Sequence, residues 1–397
     1  MKNGMSRRGF LKGAFVAAGA AAGTRLAGRG LVGDAFAAGE PTSVVLLHMV
    51  GGFNAIFASA GPLQGSFGVR AGNFTGLGGG LSIDNTWASS MSAFTKNHMA
   101  AVGVRHGISN HPGARSALWT HEGKNAGLVL ANAIGGSASI KAAVVGGNLQ
   151  ADVPRGAVGG TSFQAITDVQ KTVEALGGGA PDPRVPDRAI AVAGLEGSED
   201  MSANALAGSP ASLDTLANGY KAAIDTLRQP VRSFDLPALR RAYGLGQNSA
   251  VRNFAQKLAA AELMVRAGTN VVSVFDAGWD SHGDRSGNEV RNRMTSYVLA
   301  PLNTFLNRMV QDTTRNVVVA IFGDFSRSLP GSDHQPNLTA VVVGRHVKVG
   351  STGRVDANVR LPAGTPGIRG FWSYLAAAAK APGAPFGANA HPSLIIA

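Results

Sequence analysis

The chain has no cysteine. That absence rules out disulfides, cysteine-held iron–sulfur clusters and thiolate zinc sites, so any metal ion would have to be held by His, Asp, Glu, Asn or hydroxyl groups. Long apolar runs are also missing: none reaches the roughly 20 residues that a helix needs to cross the hydrocarbon core of a bilayer. Aromatic residues make up only 6% and nowhere interleave with a run of Lys and Arg, which argues against a dedicated nucleic-acid binder. Acids are outnumbered, 24 against 36 basic residues, for a formal net charge of +12. The positive charge is spread along the chain, so it describes a solvated basic surface, one that also favours anionic small molecules or surface polymers. An apolar content of 45% over 397 residues is enough for a large core and excludes disorder of the whole chain.

What is present begins at the N-terminus. Ser6-Arg7-Arg8-Gly9-Phe10-Leu11-Lys12, followed by a weakly apolar stretch from Gly13 to Gly23, has the form of the address read by the twin-arginine export machinery. Ala35-Phe36-Ala37 supplies the small-x-small pattern of a signal-peptidase site. Residues 1–37 are therefore expected to be a signal peptide, with residues 38–397 as the mature protein. Losing six basic residues and one acid with that leader takes the net charge from +12 to +7. The expected location is periplasmic or secreted, with the twin-arginine translocase as partner during export and no stable membrane span after cleavage.

Periodicity predicts alternating strands and helices. The apolar, partly β-branched runs 43–49, 99–104, 139–145, 270–275, 316–322 and 338–343 read as strands, and 87–96, 114–133, 168–176, 212–227, 248–267, 289–310 and 371–380 as helices, the long one kinked at Pro301. Residues 146–235, richer in Gly, Pro and Ser, read as an insertion or cap. The alternation points to crossover units and a mostly parallel sheet covered by helices on both faces. Sites in such sheets gather at the carboxyl ends of the strands.

Polar residues stand at those ends. Gly51-Gly52-Phe53-Asn54 follows the first run, and Arg105-His106-Gly107-Ile108-Ser109-Asn110-His111 follows the second. Asp276-Ala277-Gly278-Trp279-Asp280-Ser281-His282 and Gly323-Asp324-Phe325-Ser326-Arg327 follow two later ones, with Ser332-Asp333-His334 close behind. Carboxylates and neutral imidazoles suit zinc, manganese or iron where thiolates are absent. His48, inside a buried strand, reads as a satisfied core histidine, and Trp279 as a wedge under its loop.

On these stretches the chain resembles secreted bacterial proteins of domain of unknown function 1501, which are similar to the alkaline phosphatase and sulfatase superfamily. Gly278-Trp279-Asp280-Ser281-His282 is the most specific match, with Asp324-Phe325-Ser326-Arg327 and Asp333-His334 in support. The resemblance implies an alkaline-phosphatase-like three-layer α/β sandwich. It also implies hydrolysis of phosphate or sulfate esters at a divalent metal, zinc first, with manganese, iron or calcium as alternatives. On that reading Asp280, His282, Asp324, Asp333 and His334 are candidate ligands, with Asn54 a weaker one. Arg327 would pair with an anionic substrate or an inner carboxylate, and His111 would lie at the rim. Ser116 would be the nucleophile, with Ser109 behind it.

The residues alone leave alternatives open. Asp280 and His282 also fit a hydrogen-bonded turn, and the neighbouring side chains of Asp333 and His334 diverge on an extended segment. Asp324 also fits a helix cap or an ion pair with Arg327, and Ser116 an ordinary helical serine. The chain departs from the family pattern in having Asn54 for Asp, Ala117 for His, Asp324 for Glu, Ser326 and Ser328 for Gly and Thr, and Gln335 for Gly. Those departures suit a degenerate site, or a non-catalytic binding protein on the same scaffold.

Overall fold

A computed structural model of the chain describes residues 40–136, 138, 140–177, 188–205, 234–248, 250–327 and 334–396. The expected signal peptide, the expected helix 212–227 and Asp333 lie outside the described residues. The chain divides into two units, one of residues 1–39, 137–139 and 178–231, the other of residues 40–136, 140–177 and 232–397. The helix Arg188–Ala205 is the one element described in the first unit.

The second unit carries twelve strands among its described residues: β1 (Thr42–Met49), β2 (Phe74–Gly78), β3 (Leu81–Asp84), β4 (Met99–Arg105), β5 (Thr120–His121), β6 (Lys124–Asn125), β7 (Ala142–Val145), β8 (Phe163–Ile166), β9 (Val271–Asp276), β10 (Asn316–Gly323), β11 (Asn337–Gly344) and β12 (Gly350–Ser351). Eight of them form one sheet in the order β12-β4-β11-β10-β1-β9-β7-β8, and β2–β3 and β5–β6 are separate pairs. The ladders from β10 through β1, β9 and β7 to β8 are parallel. β11 runs antiparallel to both of its neighbours, and β12 is parallel to β4. One reversed strand in an otherwise parallel sheet follows from those pairings.

The near-continuous apolar runs are explained by burial on both faces. In β1, Val45, Leu47 and Met49 enter one core, and Val44 and Leu46 enter the other, as a period of two requires. The first core is shared with helix residues 254–266 and 288–310, and the second with residues 126–134 and 368–378. We label the helices that matter below α1 (His111–Leu118), α2 (Ala126–Ile134), α3 (Phe254–Arg266) and α4 (Ile368–Ala378).

Several expectations change in detail. The helix expected over 114–133 is two helices, α1 and α2, separated by the β5–β6 hairpin. Glu122 and Gly123 take φ of 49° and 74° in its turn, and Asn125 then caps α2 through Leu128 N–H. The helix expected from Asn248 begins at Phe254, where Asn253 and Gln256 form a capping box. Residues 288–310 are helical throughout, and Leu299–Phe305, which contains Pro301, is flanked by π-helical turns at Met294–Val298 and Leu306–Val310. Proline has no N–H for a carbonyl one turn back, and the wider turn before it lets the helix continue. Within 146–235, residues 163–166 supply the edge strand β8.

Candidate metal centre

The register places the relevant chain ends along one edge. Met49 pairs with both Gly323 and Asp276, so β1, β9 and β10 end level with one another. β4 runs in the same direction and ends at Arg105 opposite Asn337, the first residue of the reversed β11. Reversal of β11 therefore brings the segment before it, with His334, to the same edge as the loops after β1, β4, β9 and β10.

Four side chains from three of these segments converge there. His111, Asp280, His282 and His334 each offer one donor atom, all within 4.8 Å of one another. His111 Nε2 is 3.5 Å from Asp280 Oδ2, His282 Nε2 is 3.0 Å from Asp280 Oδ1, and the Nε2 atoms of His282 and His334 are 3.1 Å apart. The imidazoles meet as rings too, His334 lying 4.4 Å edge-on to His111 and 4.7 Å from His282. His111 Nε2 is buried without a hydrogen-bond partner, which leaves a lone pair for a cation. Half of Asp280 and His282 is open to solvent, at 47% and 51% side-chain exposure, so the cluster is reachable. Three imidazoles and a carboxylate fit a zinc, manganese or iron ion.

The groups around the cluster hold it in place. Asp324 is fully buried and accepts four hydrogen bonds: from His48 Nε2 at 2.6 Å, Gly51 N–H at 3.1 Å, His111 Nδ1 at 2.6 Å and Arg115 at 3.0 Å. Burial alone would raise its pKa, but the bonds from His48 and His111 and the Arg115 charge win and hold it at about 2. Arg115 also pairs with Asp152 at 2.7 Å. His334 gives its Nδ1 hydrogen to Ser109 carbonyl at 3.0 Å and stacks on Phe325 at 4.4 Å. Burial, together with the Arg327 guanidinium and the neighbouring imidazoles of His111 and His282, lowers its pKa despite the bond to Ser109. Arg327, 1% exposed, bonds Asp280 and the Gly51 carbonyl. That guanidinium outweighs the opposing effect of burial and lowers the Asp280 pKa. Gly51 and Gly52 have φ of 109° and 132°, and a Cβ at Gly51 would sit 2.5 Å from Asp280 N. Only glycine lets the β1 loop pass this close to the Asp280 backbone.

The remaining sequence candidates sit as follows. Asn54 is buried, its Oδ1 accepts from Ile56 N–H at 3.2 Å, and its Nδ2 has no partner. Ser109 is exposed and enters the network through its carbonyl. Ser116 lies on α1 five residues after His111, about 140° around the helix. Arg115, four residues on, shares the face of His111. Asp324 takes Arg115 as its cation, and Arg327 takes Asp280. Trp279 is 1% exposed and donates to Asp276 at 2.8 Å beneath its loop. Arg115, Asp152 and Trp119, whose indole donates to His48 Nδ1 at 3.0 Å, were not among the sequence candidates. The signal for Arg115 was its four-residue spacing from His111, whereas Trp119 and Asp152 gave none.

Fold and site together define an α/β protein with a mostly parallel sheet and a strand-edge His/Asp cluster that can hold a metal ion. Residues 233–359 match the model of a family described as protein of unknown function (DUF1501), over less than half of the chain. The matched stretch contains Asp280, His282, Asp324 and His334, while His48 and His111 precede it. No curated protein matches the chain.

Proposed function

We propose that the protein is an exported, metal-dependent hydrolase of phosphate or sulfate esters, built on an alkaline-phosphatase-like sandwich. The observation that carries this reading is the convergence of His111, Asp280, His282 and His334 at the open carboxyl edge of the sheet. Zinc is the first choice for three imidazoles and one carboxylate, and when bound it would supply Lewis acidity toward an ester oxygen. In this proposal His111, His282 and His334 bind through Nε2 and Asp280 through its carboxylate. Arg327 orients Asp280, Ser109 carbonyl orients His334, and Asp324 orients His111. A second reading, a non-catalytic exported binding protein, is favoured by Asn54, whose amide stands where the family has a carboxylate and caps the turn that follows.

Elemental analysis of the exported protein, beside an Asp280→Ala/His282→Ala double variant, separates the two. One transition-metal ion per wild-type chain, lost in the variant, together with turnover of an aryl phosphate or aryl sulfate, supports the hydrolase. Metal without turnover of either ester supports the binding protein, and native protein free of metal overturns the metal centre.

A further inference from the structure

Trp119, His48, Asp324 and His111 form an unbroken chain of hydrogen bonds that ends at a candidate ligand. Trp119 Nε1 donates to His48 Nδ1 at 3.0 Å, and an indole nitrogen can only donate. His48 Nδ1 must therefore accept, which puts the imidazole hydrogen on Nε2. That hydrogen points at Asp324 Oδ1, 2.6 Å away. An ionised carboxylate only accepts, so His111 must carry its hydrogen on Nδ1, 2.6 Å from Asp324 Oδ2. Its Nε2 lone pair is then left for the cluster.

The surroundings make this ordering firm. Trp119, His48 and Asp324 are each 0% exposed, so bulk solvent does not reach their hydrogens. His48 sits among apolar rings, with Phe322 at 4.9 Å, Phe275 at 5.3 Å and Trp119 at 6.1 Å. Leucine would fill that space with no polar group to satisfy. An imidazole can accept from the indole on one nitrogen while donating to the carboxylate from the other.

We propose that His48 and Trp119 are positioning residues which, through Asp324, fix the hydrogen of His111 on Nδ1 and so present Nε2 to the metal centre. The inference rests on the metal reading above. It extends that reading two residues further into the core, to groups that touch neither ion nor substrate. Loss of a group that hydrogen-bonds and orients a ligating histidine weakens metal binding by roughly 10- to 100-fold.

Two measurements test it. Nitrogen-15 NMR of the imidazoles in the metal-free wild type should show His48 with its hydrogen on Nε2 and His111 with its hydrogen on Nδ1; the opposite tautomer at either residue overturns the proposal whether or not metal binds. Zinc affinity by competition titration should fall about 10- to 100-fold in Trp119→Phe and His48→Leu, and stay within about threefold of wild type in His48→Gln, whose amide offers both a donor and an acceptor. Wild-type affinity in His48→Leu overturns the proposal, and so does a loss in His48→Gln as large as in His48→Leu. Failure of the wild type to take zinc overturns the metal centre instead.

Discussion

Among single residues, Asp324 bears the heaviest demand. Two imidazoles, a guanidinium and a backbone N–H all donate to one buried carboxylate. Asp324→Asn keeps the shape but turns one acceptor into a donor, so an N–H must face another N–H in a site closed to water. Removing one partner of a buried charge pair costs about 3–5 kcal/mol, and Arg115 would keep only Asp152. Chemical denaturation should show a loss on that scale, and zinc affinity should drop about 10- to 100-fold because His111 loses its anchor. A variant as stable as wild type would mean that these donors find other acceptors. The sequence offered Asp324 as ligand, cap or ion-pair partner, and spacing alone had no means of ranking them. The deciding facts were its depth and the donors around it, and those come from β1, α1 and the loop after β1, far apart in the chain.

Elements matter here through how closely their ends approach. Gly323 ends β10 against the β1 loop, and a Cβ on it would lie 2.2 Å from Phe53 N and 2.4 Å from the Gly52 carbonyl carbon. Both atoms belong to backbone, so neither can swing aside. Gly323→Ala should therefore push the two loops apart and cost about 1–3 kcal/mol of overpacking strain. Because Asp324 and Gly51 flank the contact, zinc affinity should fall with stability, and a thermal melt paired with the competition titration measures both. The strands were legible as apolar runs and the long helices as 3.6-residue patterns, since both signals are local. The β5–β6 hairpin was not, because a two-residue strand carries no periodicity and its Glu122-Gly123 turn falls inside an apolar pattern that reads as helix. The reversal of β11 was likewise hidden, as strand direction leaves no mark on composition.

For the whole molecule, stability should depend on pH through its buried imidazoles. Burial lowers His106 and His391 from 6.5 to about 4 in the folded protein. Their unfolded values lie near 6.5, so between about 6.5 and 4 the unfolded chain binds protons that the folded one refuses. Stability is then full above the unfolded value and falls as pH drops toward 4. For His391, 2% exposed, the loss is on the order of 3 kcal/mol across that interval. Urea denaturation at pH 7 and pH 5 should show a lower midpoint at pH 5, with a smaller difference in His391→Asn; equal midpoints would contradict the assignment. Glu262 acts in a lower window. Burial raises its pKa, but Arg308, Arg266 and the Tyr243 hydroxyl prevail and lower it, so its contribution is lost only as pH falls below the usual carboxylate range.

The sequence by itself determined the donor chemistry, because a chain without cysteine leaves metal binding to oxygen and imidazole nitrogen. It also determined the class of fold, because apolar runs alternating with helical patterns can be buried only as a sheet covered on both faces. Tertiary structure decided which donors meet. His111 lies 169 residues before Asp280 and 223 before His334, and only the level strand ends and the one reversed strand bring them within 4.8 Å. It also decided which groups satisfy His48, the buried core histidine that the sequence reading expected, since a hydrogen bond depends on what stands opposite in space. In this chain the opposing groups, Trp119 and Asp324, are 71 and 276 residues away.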